Sequence, residues 1–260
     1  MYGISNLSTI PVRTEPSDKS ELCTQLLFGD GYIIIEENEK WYKIKILFDE
    51  YIGWIDKLQH NAVDEAFFQV FMQTDHQICL DDVAVVEHHH GTQLIALGAT
   101  LPFLNGRIFK IGTTKYTYQG ELYHTQKIDI DFVKFMALRY NHVPYLWGGR
   151  TLFGTDCSGY TQMVFKILGY KIKRDAYQQA EHGIKIDIEE TKTGDLAFFE
   201  NQLGKIVHVG IMLDQNQIIH AHGAVRIDVV DEKGIFNLTT KKYSHKLSTV
   251  KRILSIDQNY

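Results

Sequence analysis

The chain holds only three cysteines, Cys23, Cys79 and Cys157, and four prolines in 260 residues. An odd, widely spaced cysteine set builds no disulfide framework and suits a reducing compartment. No run of 18 apolar residues occurs, so no segment reads as a membrane-spanning helix. Basic residues are in the minority, 27 Lys and Arg against 32 Asp and Glu, for a formal net charge of −5 and a pI near 6.2. That balance gives neither a nucleic-acid footprint nor attraction to an anionic membrane. The opening Met1–Asn6 has no basic stretch followed by an apolar one, so it does not read as a signal peptide. The expectation is a cytoplasmic protein, or an exported one if a leader has been removed. Ligand pairs with zinc-like spacing are also missing. His88-His89-His90 is a histidine run, but three consecutive residues on a strand do not face one site. It reads as a solvated turn or edge, and neither a metal nor a cofactor is expected.

What the chain does have is enough apolar sequence, 44% of residues, for one large domain or two to three small ones. Residues 1–60 read as short strands with polar turns. Tyr32–Ile35 and Trp41–Ile46 flank Glu36–Lys40, and Tyr51–Ile55 closes the set. A small β-barrel follows from that pattern. Residues 61–126 open with a helical stripe (Ala62, Val63, Ala66, Phe67, Val70, Phe71) and return to strands, with Asn105-Gly106 as a hairpin signal. A second small barrel is expected there. Residues 127–260 place helices first and strands after, which predicts an α+β domain with a mostly antiparallel sheet. Ile130, Val133, Ala137 and Tyr140 mark one helix face, and a short helix follows Asp175. Strands are expected at Gly194–Phe199, Val207–Leu213 and Gln217–His222.

Two runs in the last region carry chemistry. Tyr145-Leu146-Trp147-Gly148-Gly149 is followed, seven residues on, by Asp156-Cys157-Ser158-Gly159. Apolar spacing after Cys157 predicts a helix ending at Gly169, with Asp156 as N-cap and Cys157 in the first turn. Unpaired N–H groups and the positive helix end favour a thiolate there. Cys157 is the candidate nucleophile, whereas Cys23 and Cys79 have no such setting and read as structural. His208 and His220 sit in adjacent strands joined by the turn-rich Asp214-Gln215-Asn216. Alternation puts both on one face if the loop has odd length, so one imidazole is a base and the other orients it. His222 shares that face and is a rival orienter.

These residues resemble the NlpC family of cell-wall cysteine peptidases. The likeness rests on the two runs above, with Gly194-Asp195-Leu196, His208-Val209-Gly210-Ile211 and Ile219-His220-Ala221, in order over about residues 128–255. It implies a papain-like catalytic domain with Cys157 as nucleophile, His208 as base and His220 as orienter. Trp41 and Tyr51-Ile52-Gly53-Trp54 resemble the bacterial SH3-like domains found in pairs before this domain in some members. The expected architecture is thus two small SH3-like barrels and a papain-like α+β domain. Such members imply a γ-D-glutamyl-L-diamino-acid peptidase, needing no cofactor and acting on peptidoglycan stem peptides with a free N-terminal L-Ala. The resemblance further implies that Tyr145 helps hold the oxyanion and that Asp156 and Ser158 contact the peptide. It gives Asp175 the substrate ammonium, helped by Glu15, and brings Tyr51 to the groove. Ala176 departs from the serine common in relatives. The third substrate residue, meso-diaminopimelate or L-lysine, stays open, as does the oligomeric state. So do two other readings: a non-catalytic cell-wall peptide-binding protein, and an amidase or acyltransferase using the same three residues.

Overall fold

The computed structural model describes residues 1–122, 129–238 and 240–254. The chain divides into two compact units, 1–125 and 126–260. The boundary expected between residues 126 and 127 lies outside the described residues.

The first unit opens with β1 (Tyr2–Ile4), β2 (Thr9–Arg13), β3 (Leu22–Leu27), β4 (Gly31–Glu37), β5 (Trp41–Ile46), β6 (Ile52–Asp56) and β7 (Ala62–Val63). They form one antiparallel sheet in the order β3-β2-β6-β5-β4-β1-β7. Alternation along β2 and β5 turns Ile10, Val12, Ile44 and Ile46 into a shared core with Leu26, Tyr32 and Ile55. Helix α1 (Glu65–Met72) starts later than the apolar stripe predicts. Ala62 and Val63 pair with Gly3 and Tyr2 as an edge strand instead. Asp64 then caps the helix by accepting the Phe67 N–H at 2.8 Å. Beyond it lie β8 (Gln77–Ile78), β9 (Val83–His88), β10 (Gly91–Ala96), β11 (Thr100–Leu101), β12 (Ile108–Ile111) and β13 (Thr114–Tyr118). Four of these form a sheet in the order β10-β9-β13-β12, and β8 pairs with β11. Asn105-Gly106 does form a tight turn, bridging Asn105 to Ile108, but it leads into β12 and joins no pair of strands. His88 ends β9, and the exposed His89 and His90 make the turn into β10.

The second unit begins with α2 (Ile130–Leu138), followed by the paired β14 (Arg150–Thr151) and β15 (Gly154–Thr155). Next are α3 (Cys157–Ile167), α4 (Ala176–Gln179) and β16 (Ile184–Ile186). The remaining strands are β17 (Leu196–Glu200), β18 (Ile206–Met212), β19 (Gln217–His222), β20 (Ala224–Asp231), β21 (Gly234–Asn237) and β22 (Lys242–Arg252). They run antiparallel in the order β16-β22-β17-β18-β19-β20-β21, and β21 pairs again with β22. That second pairing closes six strands into a ring. One end of the long β22 serves β17, with Leu196 opposite Lys251, and the other serves β21, with Asn237 opposite Lys242.

Helix α3 is buried for nearly its full length because it packs on β18 and β19 as well as on α2. The Tyr160 hydroxyl fixes its distance from α2 by donating to the Ala137 carbonyl at 3.1 Å. Its N-terminus touches the loop before β14. A Cβ on Gly159 would lie 2.3 Å from the Gly149 carbonyl oxygen and 2.9 Å from an Asp156 carboxylate oxygen. No L-side chain fits that approach without moving the helix start. Gly159→Ala is therefore expected to cost about 1–3 kcal/mol of stability, read as a lower urea midpoint. An unchanged midpoint would show that the loop and helix do not need this contact.

Candidate active site

Cys157 is the first residue of α3, as the sequence predicts, and Asp156 is its N-cap. The cap does more than satisfy one helix N–H. Asp156 Oδ1 accepts from Gly159 N–H at 2.7 Å and from Arg174 Nη1 at 3.0 Å. Oδ2 accepts from Gly148 N–H at 2.8 Å and from Arg174 Nη2 at 2.6 Å. Arg174 also donates to the Ser158 hydroxyl at 2.9 Å. Both ions are buried, and the fork of Arg174 matches the carboxylate bidentately. Asp156 and Ser158, expected to contact a peptide, thus have their side chains committed inside the protein. They hold the Gly148-Gly149 loop, α3 and the segment before α4 at one junction. Gln179 adds to it, donating to the Ser158 carbonyl at 3.0 Å and accepting from the Thr161 hydroxyl at 2.8 Å.

The histidines come from neighbouring strands. Gly210 on β18 stands opposite His220 on β19, so His208 lies two residues along on the same face. A Cβ at Gly210 would meet the His220 Cβ at 2.8 Å and Ile218 Cδ1 at 2.7 Å. The glycine gives the His220 ring room to lean diagonally, and His208 Nε2 meets His220 Nδ1 at 2.8 Å. His222, the rival, is exposed, with its ring centroid 6.2 Å from that of His220. Two residues beside the histidines escaped the sequence reading. Asp228 on β20 places Oδ2 at 3.1 Å from His220 Nε2 and is itself paired with Arg226 at 2.8 Å. His245 on β22 stacks on His208, centroids 4.1 Å apart and planes 21° from parallel. Asp228 was detectable as a carboxylate within the alternating run Val225–Val230. Nothing local marks His245, which arrives only through ring closure.

Electrostatically the site is dominated by burial. It pushes the Cys157 thiol up to about 12, and the nearby Asp156 carboxylate pushes the same way. The Val209 and Ser158 N–H groups and the Arg174 charge oppose this without winning. Burial thus works against the thiolate expected at the helix start. Burial also holds His208 well below the usual imidazole range, with His220 and His245 adding to it. His220 is lowered by burial against the opposing bond to Asp228, and burial lowers His245 to about 4. Burial thus favours the uncharged forms of the thiol and of the three imidazoles.

Tyr145 is placed by backbone bonds. Its N–H donates to the Gly223 carbonyl at 3.0 Å, and it bridges to Thr155 beside the Cys157 helix. Burial raises its phenol, with Cys157 and Asp156 contributing, so it keeps its proton as a donor. Asp175 is half-buried and caps α4 in a capping box with Gln178, whose Oε1 accepts the Asp175 N–H at 3.1 Å. Tyr51 and Glu15 belong to the first unit. Tyr51 packs partly buried against its core, and Glu15 is exposed. Cys23 and Cys79 are buried and bonded, Cys23 Sγ to the Val12 carbonyl at 3.2 Å and Cys79 Sγ to the Tyr118 hydroxyl at 3.5 Å.

Among the described residues, His208, His220 and His245 bring ring nitrogens within 4.8 Å of one another, a donor set of zinc type. Within the set, His208 Nε2 and His220 Nδ1 are hydrogen-bonded to each other, and the His208 and His245 rings are stacked.

Residues 142–244 match the NlpC/P60 family, and residues 12–59 match the bacterial dipeptidyl-peptidase SH3 domain. A Bacillus subtilis protein named gamma-D-glutamyl-L-lysine dipeptidyl-peptidase is 29% identical over 252 residues, covering 89% of this chain and 81% of its own. Dipeptidyl-peptidase 6 of Lysinibacillus sphaericus is 26% identical over 251 residues, covering 84% of this chain and 88% of its own. The crystal structure of an NlpC/P60 family protein from Bacillus cereus superposes with a TM-score of 0.80 at 19% identity, over 97% of this chain and 99% of that one. At that identity the likeness establishes the fold.

Two outcomes are expected. Iodoacetamide labelling of Cys157, followed by peptide mapping, should speed up about tenfold per pH unit from pH 6 to 10, as for a thiol titrating near 12. A rate flat between pH 5 and 8 would mean a preformed thiolate–imidazolium pair. Arg174→Met should cost about 3–5 kcal/mol, since it strands a buried carboxylate, with a matching fall in the denaturation midpoint. A loss below 1 kcal/mol would mean that the junction does not depend on the ion pair.

Proposed function

We propose that this chain, a cysteine peptidase with an NlpC/P60 domain behind a bacterial dipeptidyl-peptidase SH3 domain, hydrolyses the γ-D-glutamyl–diamino acid bond of peptidoglycan stem peptides. The substrate bears a free N-terminal L-Ala, and the product L-Ala-D-Glu suits murein-peptide recycling. The observation that carries this reading is similarity along most of the chain to the relatives named gamma-D-glutamyl-L-lysine dipeptidyl-peptidase and dipeptidyl-peptidase 6. We read strands β8–β13 as a second SH3-like domain and the catalytic unit as papain-like.

In this mechanism Cys157 Sγ attacks the γ-carbonyl of D-Glu while its proton passes to His208 Nδ1. A neutral thiol makes that transfer part of the attack rather than a step before it. Tyr145 donates to the developing oxyanion, next to the N–H groups at the start of α3. The His208 imidazolium then protonates the leaving amine of the diamino acid. Water, deprotonated by His208, opens the thioester and restores the thiol. His220 keeps the His208 ring in place throughout. Asp175 receives the substrate ammonium. A carboxylate there favours a free amine, because a blocked amine brings no cation to it.

The test is mass spectrometry of L-Ala-γ-D-Glu-L-Lys and its diaminopimelate analogue with the wild type and Cys157→Ala, beside N-acetylated controls. Release of L-Ala-D-Glu from the free-amine peptides by the wild type alone is expected. Equal turnover of acetylated peptides would overturn the role of the free amine. No turnover of any peptide would overturn the substrate.

A further inference from the structure

We propose that Asp228 is a positioning residue that sets the proton arrangement of the histidine pair, holding the free lone pair of His208 on Nδ1. The inference rests on the reading of His208 as the base. It follows from three hydrogen bonds in series on one face of β18, β19 and β20.

Asp228 is opposite Ile218, and Arg226 is opposite His220, so Asp228 lies diagonally across from His220 on the same face. Its carboxylate is buried. Burial alone would raise it, but the bonds to His220 and Arg226 outweigh that and hold it below the usual range. An ionised carboxylate only accepts, so His220 Nε2, at 3.1 Å, must carry its hydrogen. A buried imidazole is neutral and has one ring hydrogen, which leaves a lone pair on His220 Nδ1. His208 Nε2, 2.8 Å away, must then donate to that lone pair. With its own hydrogen on Nε2, a neutral His208 has its remaining lone pair on Nδ1. A base needs that lone pair to take the thiol proton.

Each link works in one direction only. Were His220 to place its hydrogen on Nδ1, it would donate to His208 Nε2. His208 would then be protonated on Nδ1 and unable to accept a proton there. Two neutral imidazoles bonded to each other have no preference between these arrangements. The asymmetry comes from the third member, an anion at the outer end. Arg226 keeps that anion charged, with Nη2 on Oδ1 at 3.0 Å and Nε on Oδ2 at 2.8 Å. The second histidine of the relay thus passes on the acceptor character of Asp228 as well as orienting the ring.

The test reads ring tautomers directly. In uniformly 15N-labelled Cys157→Ala protein, long-range 1H–15N correlation spectra should place the hydrogen on Nε2 in both His208 and His220. This arm uses an otherwise native site and needs no substrate, so it stands whatever the peptide assays give. His208 protonated on Nδ1 would overturn the proposal. Asp228→Ala in the same background should lose the single tautomer at both rings, and in the active enzyme should lower kcat about 10–100-fold with KM within about twofold. Asp228→Asn keeps an oxygen able to accept from Nε2–H and should lose less activity than the alanine variant. If Asp228 served only to pair Arg226, both variants would lose stability alike and leave the tautomers unchanged, which would equally overturn the proposal.

Discussion

The buried fork of Arg174 on Asp156 is the interaction on which the site depends. Five hydrogen bonds converge on two carboxylate oxygens or the hydroxyl beside them, from a glycine loop, a helix start and an arginine ahead of the next helix. Each of those segments is short and irregular and has little to hold it alone. Burying an ion pair is costly, and it is tolerated when geometry and additional hydrogen bonds satisfy both partners. Here they do, and the result is a rigid platform under Cys157. Gly159 and Gly149 belong to the same arrangement, since the helix start approaches the loop more closely than a side chain allows.

Desolvation then decides the protonation of the groups above that platform. A helix N-terminus is worth a modest stabilisation of an anion, and the sulfur also has backbone N–H neighbours. Burial is stronger and holds the thiol and the imidazoles neutral. A neutral site makes the location of each hydrogen more important than the location of charge. In the proposed relay the chemistry turns on which nitrogen carries a proton, and so on the carboxylate at the end of the histidine series.

Much of this was legible in the sequence. The Cys157 helix and its cap followed from a polar residue before an apolar 3.6-residue period, and β5 from alternation. The shared face of His208 and His220 followed from strand parity given an odd loop, which the register of Met212 opposite Ile218 supplies. What escaped has a common physical origin. Arg174, Asp228 and His245 act through partners distant in sequence, and no local period encodes a diagonal contact across three strands or the closing of a ring. The start of α1 was misplaced because pairing with β1 claimed Ala62 and Val63, a tertiary preference that overrode the helical stripe. The thiolate expectation failed because helix position is visible in sequence and solvent exclusion is not.

The ring of strands has a consequence for the birth of the enzyme. Strand β22 pairs with β16, β17 and β21, and it brings His245 against His208. Arg252 at its end pairs with Asp195 before β17 at 2.7 Å. On the ribosome, Cys157, His208 and His220 are made before β22, the strand that shuts the ring. Contacts of such long sequence separation are slow to form, so the ring closes after its other strands have been made. The stacking of His245 on His208 waits for the strand that closes the ring.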